Sequence, residues 1–126
     1  MRIYGVGTDI VSVNRIKKLF KRKLFAKRLF SEEEVLKCSK LIYSNNCYAK
    51  RFAAKEAFSK ALGTGISNGI NFNEIIVINE KSGKPSIKLI GKTKLIINKK
   101  FKKKIKISLS ISDEKNYAVA FVAISL

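Results

Sequence analysis

Residues 51–65 read RFAAKEAFSKALGTG, and they decide the rest of the chain. At 3.6 residues per turn the stretch splits into two faces. Ala53, Ala54, Ala57, Phe58 and Ala61 fall on one side, and Phe52, Lys55, Glu56, Ser59 and Lys60 on the other. An apolar face built mostly of alanine lets a helix approach a neighbouring backbone closely. The polar face carries a carboxylate, two ammonium groups and a hydroxyl within two turns. Gly63 and Gly65 follow the last periodic residue, as glycine past a C-cap commonly does. As plain structure, the stretch is an amphipathic helix with a Glu56–Lys60 pair worth about 0.2–0.5 kcal/mol.

Upstream, residues 3–7 are short, apolar and glycine-punctuated, and read as a strand. Thr8 and Asp9 stand before IVSVNRIKKLF, whose Ile10, Val13, Ile16, Leu19 and Phe20 recur at helical spacing. This predicts a helix from residue 10 with Thr8 or Asp9 as its N-cap. The functional alternative makes Asp9 a metal-ligating carboxylate at a strand-to-helix junction. The first helix and its continuation KRKLFAKRLF are basic and amphipathic, suited to a membrane surface, nucleic acid or an acidic helix. Ser31 and Glu34 form a capping box that starts a short helix ending near residue 41. YSNNC at 43–47 breaks the chain before the central helix, which runs through Leu62.

The second half changes period. Residues 72–79 read as a strand, 80–85 as a turn and 86–90 as a returning strand. Residues 92–102 read as a lysine-rich helix. Ile105, Ile107, Leu109 and Ile111 alternate with Lys106, Ser108, Ser110 and Ser112, the pattern of a half-buried strand. Residues 117–126 are apolar on both faces, so that strand is central in its sheet or covered by a partner subunit. Helices first and antiparallel strands later predict an α+β fold in one domain spanning 1–126.

The chain has 126 residues, 46% hydrophobic and 29% charged, which suits a globular fold. It carries 27 Lys+Arg against 9 Asp+Glu, a formal net charge of +18. Such a balance calls for an acidic partner. The two cysteines, Cys38 and Cys47, match no zinc spacing and read as free thiols in a reducing compartment. Without a signal-peptide pattern or a membrane-length apolar run, a soluble cytoplasmic protein is expected. Histidine is absent. That excludes histidine bases, Ser-His-Asp triads and histidine metal ligands, leaving carboxylates, lysines, hydroxyls, backbone amides or a hard cation such as Mg²⁺.

Three segments stand together: GVGTDIVSVNRI at 5–16, RFAAKEAFSKALGTGI at 51–66 and SISDEKNYAVA at 110–120. With the basic first helix and the GKP turn at 83–85, the chain resembles the small 4'-phosphopantetheinyl transferases, the holo-[acyl-carrier-protein] synthase family, along essentially its whole length. The resemblance implies the fold of that family, an antiparallel sheet packed on a long central helix. It implies a homotrimer with active sites between subunits, Mg²⁺ as cofactor and coenzyme A as co-substrate. The partner would be an acidic acyl carrier protein of fatty acid synthesis, with no nucleic acid or membrane involved. Asp9 and Glu56 match metal-binding carboxylates, and with Lys60 they would be catalytic. Arg51, Lys55, Ser59 and Lys60 match positions lining the coenzyme A phosphates, and Gly63, Gly65 and Pro85 positions around the nucleotide. Asp113 stands where some members have histidine and others aspartate. Arg15, Lys18, Lys21, Arg22 and Arg28 would meet the carrier protein.

The residue chemistry agrees. Mg²⁺ takes one or two carboxylates and keeps places for water and phosphate. A pyrophosphate asks for a cationic cradle, and its transfer asks mainly for positioning and charge neutralisation. Either Glu56 or a metal-bound water serves as base. A competing class, a basic nucleic-acid-binding domain without activity, accounts for +18 and for KKFKKK at 99–104. It leaves Asp9 and Glu56 idle and shows no known RNA- or DNA-binding signature.

Overall fold

The computed structural model describes residues 1–22, 24–63 and 69–126. Strand β1 (Ile3–Ser12) leads into α1 (Val13–Leu19), α2 (Phe25–Leu29), α3 (Glu32–Ser39) and the 19-residue α4 (Ser44–Leu62). A 3-10 turn at Phe72–Glu74 precedes β2 (Ile75–Asn79) and β3 (Pro85–Leu89). Helix α5 (Gly91–Lys100) and strands β4 (Lys106–Asp113) and β5 (Tyr117–Ser125) complete an α+β fold. Two antiparallel sheets form, one ordered β1-β5-β4 and the other a β2-β3 hairpin.

Alanine on α4 meets glycine on β1. A Cβ added to Gly5 would run into the carbonyl oxygen of Ala61, and one on Gly7 into that of Ala57. Ala53, Ala54 and Ala57 are fully enclosed. Helix and strand therefore touch backbone to backbone along this line, and any side chain at Gly5 or Gly7 would force them apart. Ala118, Ala120, Val122 and Ile124 of β5 line the same buried side of the sheet. As expected from its apolar pattern, β5 is the central strand.

The start of α1 differs from the sequence expectation. Strand β1 stays paired with β5 as far as Ser12 opposite Tyr117. The helix begins only at Val13, capped by the Ser12 hydroxyl, which accepts from the Arg15 amide at 3.3 Å. Thr8 and Asp9 are strand residues, not caps. The full ladder to β5 outweighs the helical periodicity of Ile10. Gly63 does end α4, at φ +82°. Gly65 and Lys23 lie outside the described residues.

Two further expectations are corrected. Cys38 and Cys47 are not free thiols but form a disulfide joining α3 to α4. The turn at residues 40–43 folds α4 back along α3 and brings the two Cα atoms to 5.4 Å, a separation that a bridge can span. Lys55, expected on a solvent-facing polar side, is 0% exposed. Helix α4 is covered by β1 and β5 on its alanine side and by α3 and β2 on the other, so it has no second open face at Lys55. The Lys55 ammonium donates to Glu34 Oε1 at 2.7 Å and to the carbonyls of Phe72 at 2.8 Å and Ile75 at 2.6 Å. Its three donors are all taken inward.

Glu34 is the other half of this knot. Its carboxylate accepts from the Ser31 amide at 3.0 Å, completing the capping box that the sequence announces. It also takes Lys55 and, through Oε2, the Val77 amide of β2 at 3.1 Å. One buried carboxylate thus ties α3, α4 and β2 together. Burial pushes the Lys55 ammonium down to about 8 against the pull of Glu34, which leaves it charged at neutral pH. Lys55→Met should strand the Glu34 charge in the interior and cost about 3–5 kcal/mol in urea unfolding. The double variant Glu34→Gln/Lys55→Met should recover part of that loss; a single variant as stable as the wild type would refute the knot.

Candidate active site

Alternation along β1 decides where Asp9 points. Gly7 and Val11 are buried, whereas Val6, Thr8 and Ile10 face out. Asp9 shares parity with the buried pair and faces α4. There it meets Lys60, whose ammonium donates to Asp9 Oδ1 at 3.3 Å and to the Thr8 carbonyl at 2.9 Å. The lysine is half in solvent, its side chain 55% exposed. It is therefore held loosely and free to turn toward an incoming anion.

Glu56, one turn before Lys60 on α4, completes the group. Burial and then the negative charge of Asp9 hold its carboxyl above the ordinary range, with Lys60 and Arg15 pulling the other way. Two carboxylates sharing one half-buried site are short of positive charge. A hard cation with oxygen ligands would supply it, and Asp9 with Glu56 is the donor set that Mg²⁺ usually takes from a protein. The residues therefore fit such an ion. Arg15, on the first turn of α1, lies close enough for its charge to act on Glu56. Among the described residues, no three His, Cys, Asp or Glu side chains gather.

The other predicted site residues divide. Arg51, Gly83, Pro85 and Asp113 line a separate cleft of about 280 Å³ between α3, α4 and the β2–β3 turn, with Lys37 and Lys50. Arg51 donates through Nη1 to Cys47 Sγ at 3.1 Å, while its buried Nε has no partner among the described residues. Asp113 pairs with Lys50 at 3.7 Å and accepts from Asn46 Nδ2 at 3.1 Å. Lys55 and Ser59 line neither place. Lys55 is spent on Glu34 and two carbonyls, and the Ser59 hydroxyl is enclosed, with no partner among the described residues. Both side chains are buried in the single chain. Gly63 is exposed at the end of α4. Arg15, Lys18, Lys21, Arg22 and Arg28 are all exposed on α1, the segment after it and α2, and none is in an ion pair among the described residues.

Sequence reading missed the Glu34 knot, Asn46 and Lys50 as partners of Asp113, and the sulfur beside Arg51. Glu34 carried one signal, its place in the capping box. Arg51 stands four residues after Cys47 on α4, a spacing already present in the sequence, whereas the Asn46–Asp113 and Lys50–Asp113 contacts join residues far apart in the chain and left no signal.

Similarity to known proteins follows the same residues. The model of the 4'-phosphopantetheinyl transferase superfamily matches residues 5–122. The chain is 51% identical over 123 residues to holo-[acyl-carrier-protein] synthase of Pelagibacter ubique, covering 97% of this chain and 96% of that one. The crystal structure of the Neisseria meningitidis holo-[acyl-carrier-protein] synthase superposes with a TM-score of 0.87 at 40% identity, over 98% and 99% of the two chains. The Bacillus anthracis synthase, solved in complex with CoA (3',5'-ADP), gives 0.81 at 36% identity over 98% and 97%.

Glu56 offers a test of the cation site that does not need activity. Its raised proton affinity means that ionisation works against the fold as pH rises through the raised value. In chelator at pH 8, Glu56→Gln should therefore melt higher than the wild type. Added Mg²⁺ should raise the wild-type midpoint and leave that of the variant unmoved. Equal Mg²⁺ shifts in both proteins would remove Glu56 from the cation site.

Proposed function

Because the chain belongs to the 4'-phosphopantetheinyl transferase superfamily, we propose that it transfers 4'-phosphopantetheine from coenzyme A to a serine of apo acyl carrier protein. One observation carries the reading: β1 and α4 bring Asp9, Glu56 and Lys60 to one place, two carboxylates short of positive charge beside a mobile ammonium. In the reaction the carrier serine Oγ attacks the β-phosphorus of coenzyme A. The bond from that phosphorus to its bridging oxygen breaks, and adenosine 3',5'-bisphosphate leaves. Mg²⁺, held by Asp9 and Glu56, would neutralise pyrophosphate charge. Lys60 leaves Asp9 for the phosphoryl oxygens. Glu56 is the carboxylate proposed to take the serine proton.

The nucleotide end belongs in the second cleft, where Arg51 has a free buried donor and Lys37 and Lys50 add charge. Arg51 and Lys60 are nine residues apart, about 180° around α4. One ligand cannot reach both through the body of a single subunit. A site completed between copies resolves this, and the outer sheet face supports the assembly. Ile10 is 66% exposed, and Val6, Val119 and Phe121 stand beside it as an apolar surface of the β1–β5 ladder. The proposal is a homotrimer acting in the cytoplasm. No helix among the described residues is long and apolar enough to cross a membrane. The nucleic-acid reading leaves Asp9, Glu56 and Lys60 without a task and is not carried further.

The direct experiment incubates the protein with coenzyme A, Mg²⁺ and apo carrier protein and looks for the phosphopantetheine mass on the carrier; no mass gain would overturn the reading. The basic α1 surface should act on association. Arg22→Glu should raise KM for carrier protein about tenfold and leave KM for coenzyme A unchanged, with added salt weakening the wild type more than the variant. An unchanged carrier KM would move the docking surface elsewhere.

A further inference from the structure

The Cys38–Cys47 bridge is unused by the transfer chemistry, yet it sits against that chemistry's nucleotide end. Cys38 is fully enclosed between α3 and α4, whereas Cys47, itself 4% exposed, lines the edge of two open clefts. One holds Arg51, Pro85 and Asp113; the other holds Lys40, Tyr43, Lys50 and Lys115. Arg51 Nη1 donates to Cys47 Sγ at 3.1 Å and to the Cys47 carbonyl at 3.5 Å. Arg51 on α4 is the charge against this sulfur; the two clefts are lined besides by Lys50 on α4, Lys37 on α3, Lys40 after it, Asp113 at the end of β4, and Glu114 and Lys115 in the β4–β5 turn, with Asp113 already engaged by Lys50 and Asn46. The Arg51 guanidinium is thus placed to pair with a Cys47 thiolate when the bridge is open. Disulfides in reducing compartments are usually transient and regulatory rather than structural.

We propose that Cys47 and Cys38 are a thiol–disulfide exchange site for low-molecular-weight disulfides, and that its state sets the charge available to the nucleotide at Arg51. The second half rests on the phosphopantetheinyl transfer reading; the first does not. In the reduced protein the Cys47 thiolate attacks one sulfur of a small disulfide such as glutathione disulfide, forming a mixed disulfide and releasing one thiolate. Cys38 then gives its proton to the released thiolate and attacks Cys47 Sγ, releasing the second sulfur, which takes its proton from solvent. Two protein thiols are oxidised and one small disulfide is reduced to two thiols. With the bridge closed, Cys47 carries no charge and Arg51 keeps its full positive charge for a phosphate. With the bridge open, the Cys47 thiolate pairs with Arg51 and cancels that charge. A charge-assisted bond of this kind corresponds to roughly a tenfold or larger effect, so the reduced protein should show KM for coenzyme A raised about tenfold. KM for carrier protein should stay the same.

The test separates the two halves. Cys38→Ser leaves Cys47 without its resolving partner, so glutathione disulfide should leave one stable glutathionyl adduct, located by peptide mapping at Cys47. Cys47→Ser should accumulate none at Cys38. Adduct on Cys38 instead, or on neither variant, overturns the exchange site whether or not the protein transfers phosphopantetheine. Oxidised wild type and Cys47→Ser should share the low coenzyme A KM. Reduced wild type and Cys38→Ser should share the high one. A reductant effect that persists in Cys47→Ser, or that moves the carrier KM instead, overturns the coupling to Arg51. If no form transfers phosphopantetheine, the transfer reading and the coupling fall together while the adduct result still decides the exchange site.

Discussion

The contact on which this structure turns is made by backbones. Glycines at positions 5 and 7 of β1 lie on the carbonyls of Ala61 and Ala57 of α4, with no room for a side chain between them. A helix and a strand held at that distance place the next inward residue of the strand, Asp9, against the next polar turn of the helix, Glu56 and Lys60. These three side chains are thus located by the packing of residues that have almost no side chains. A close-packed interior transmits small displacements rather than absorbing them. One methyl group at Gly7 would separate Asp9 from Glu56 as surely as a change of either carboxylate.

A second tie fixes the opposite side of α4. The Glu34 carboxylate accepts from the cap of α3, from the β2 ladder and from Lys55, so its oxygens are shared among three elements. Buried charge is tolerated because it is paired and fully hydrogen-bonded. What the tie organises is the second cleft: α3, α4 and β2 bring Lys37, Arg51 and Asn79 together, with Pro85 from β3 across the turn. The same helix therefore carries two chemistries on opposite sides, an acidic pair with a lysine on one and an arginine with an open donor on the other.

The sulfur beside Arg51 shows how a local feature takes its meaning from its surroundings. Nine residues of spacing between two cysteines fit no metal motif, and nothing local says that the chain doubles back between them. Once α3 and α4 pack against each other, the bridge, the guanidinium and the cleft lined by Arg51 share one place.

Residue pattern by itself determined the α+β order, the capping box at Ser31 and Glu34, the half-buried alternation of β4 and the end of α4 at Gly63; Lys60, however, pairs with Asp9 rather than with the Glu56 that helical spacing offered it. These are local: each follows from backbone geometry within a turn or two, or from alternation along one strand. Tertiary structure decided that Asp9 belongs to a strand and not to a cap, because pairing with β5 outlasts the helical periodicity of Ile10. It decided that Lys55 is interior, since periodicity marks a polar face but cannot say that α3 and β2 will cover it. It also decided that Cys38 and Cys47 are joined, that Arg51 lines a cleft and that Lys60 meets Asp9 on the other side of α4. Each of these depends on which element lies across from which, and that is set by packing between segments distant in the chain.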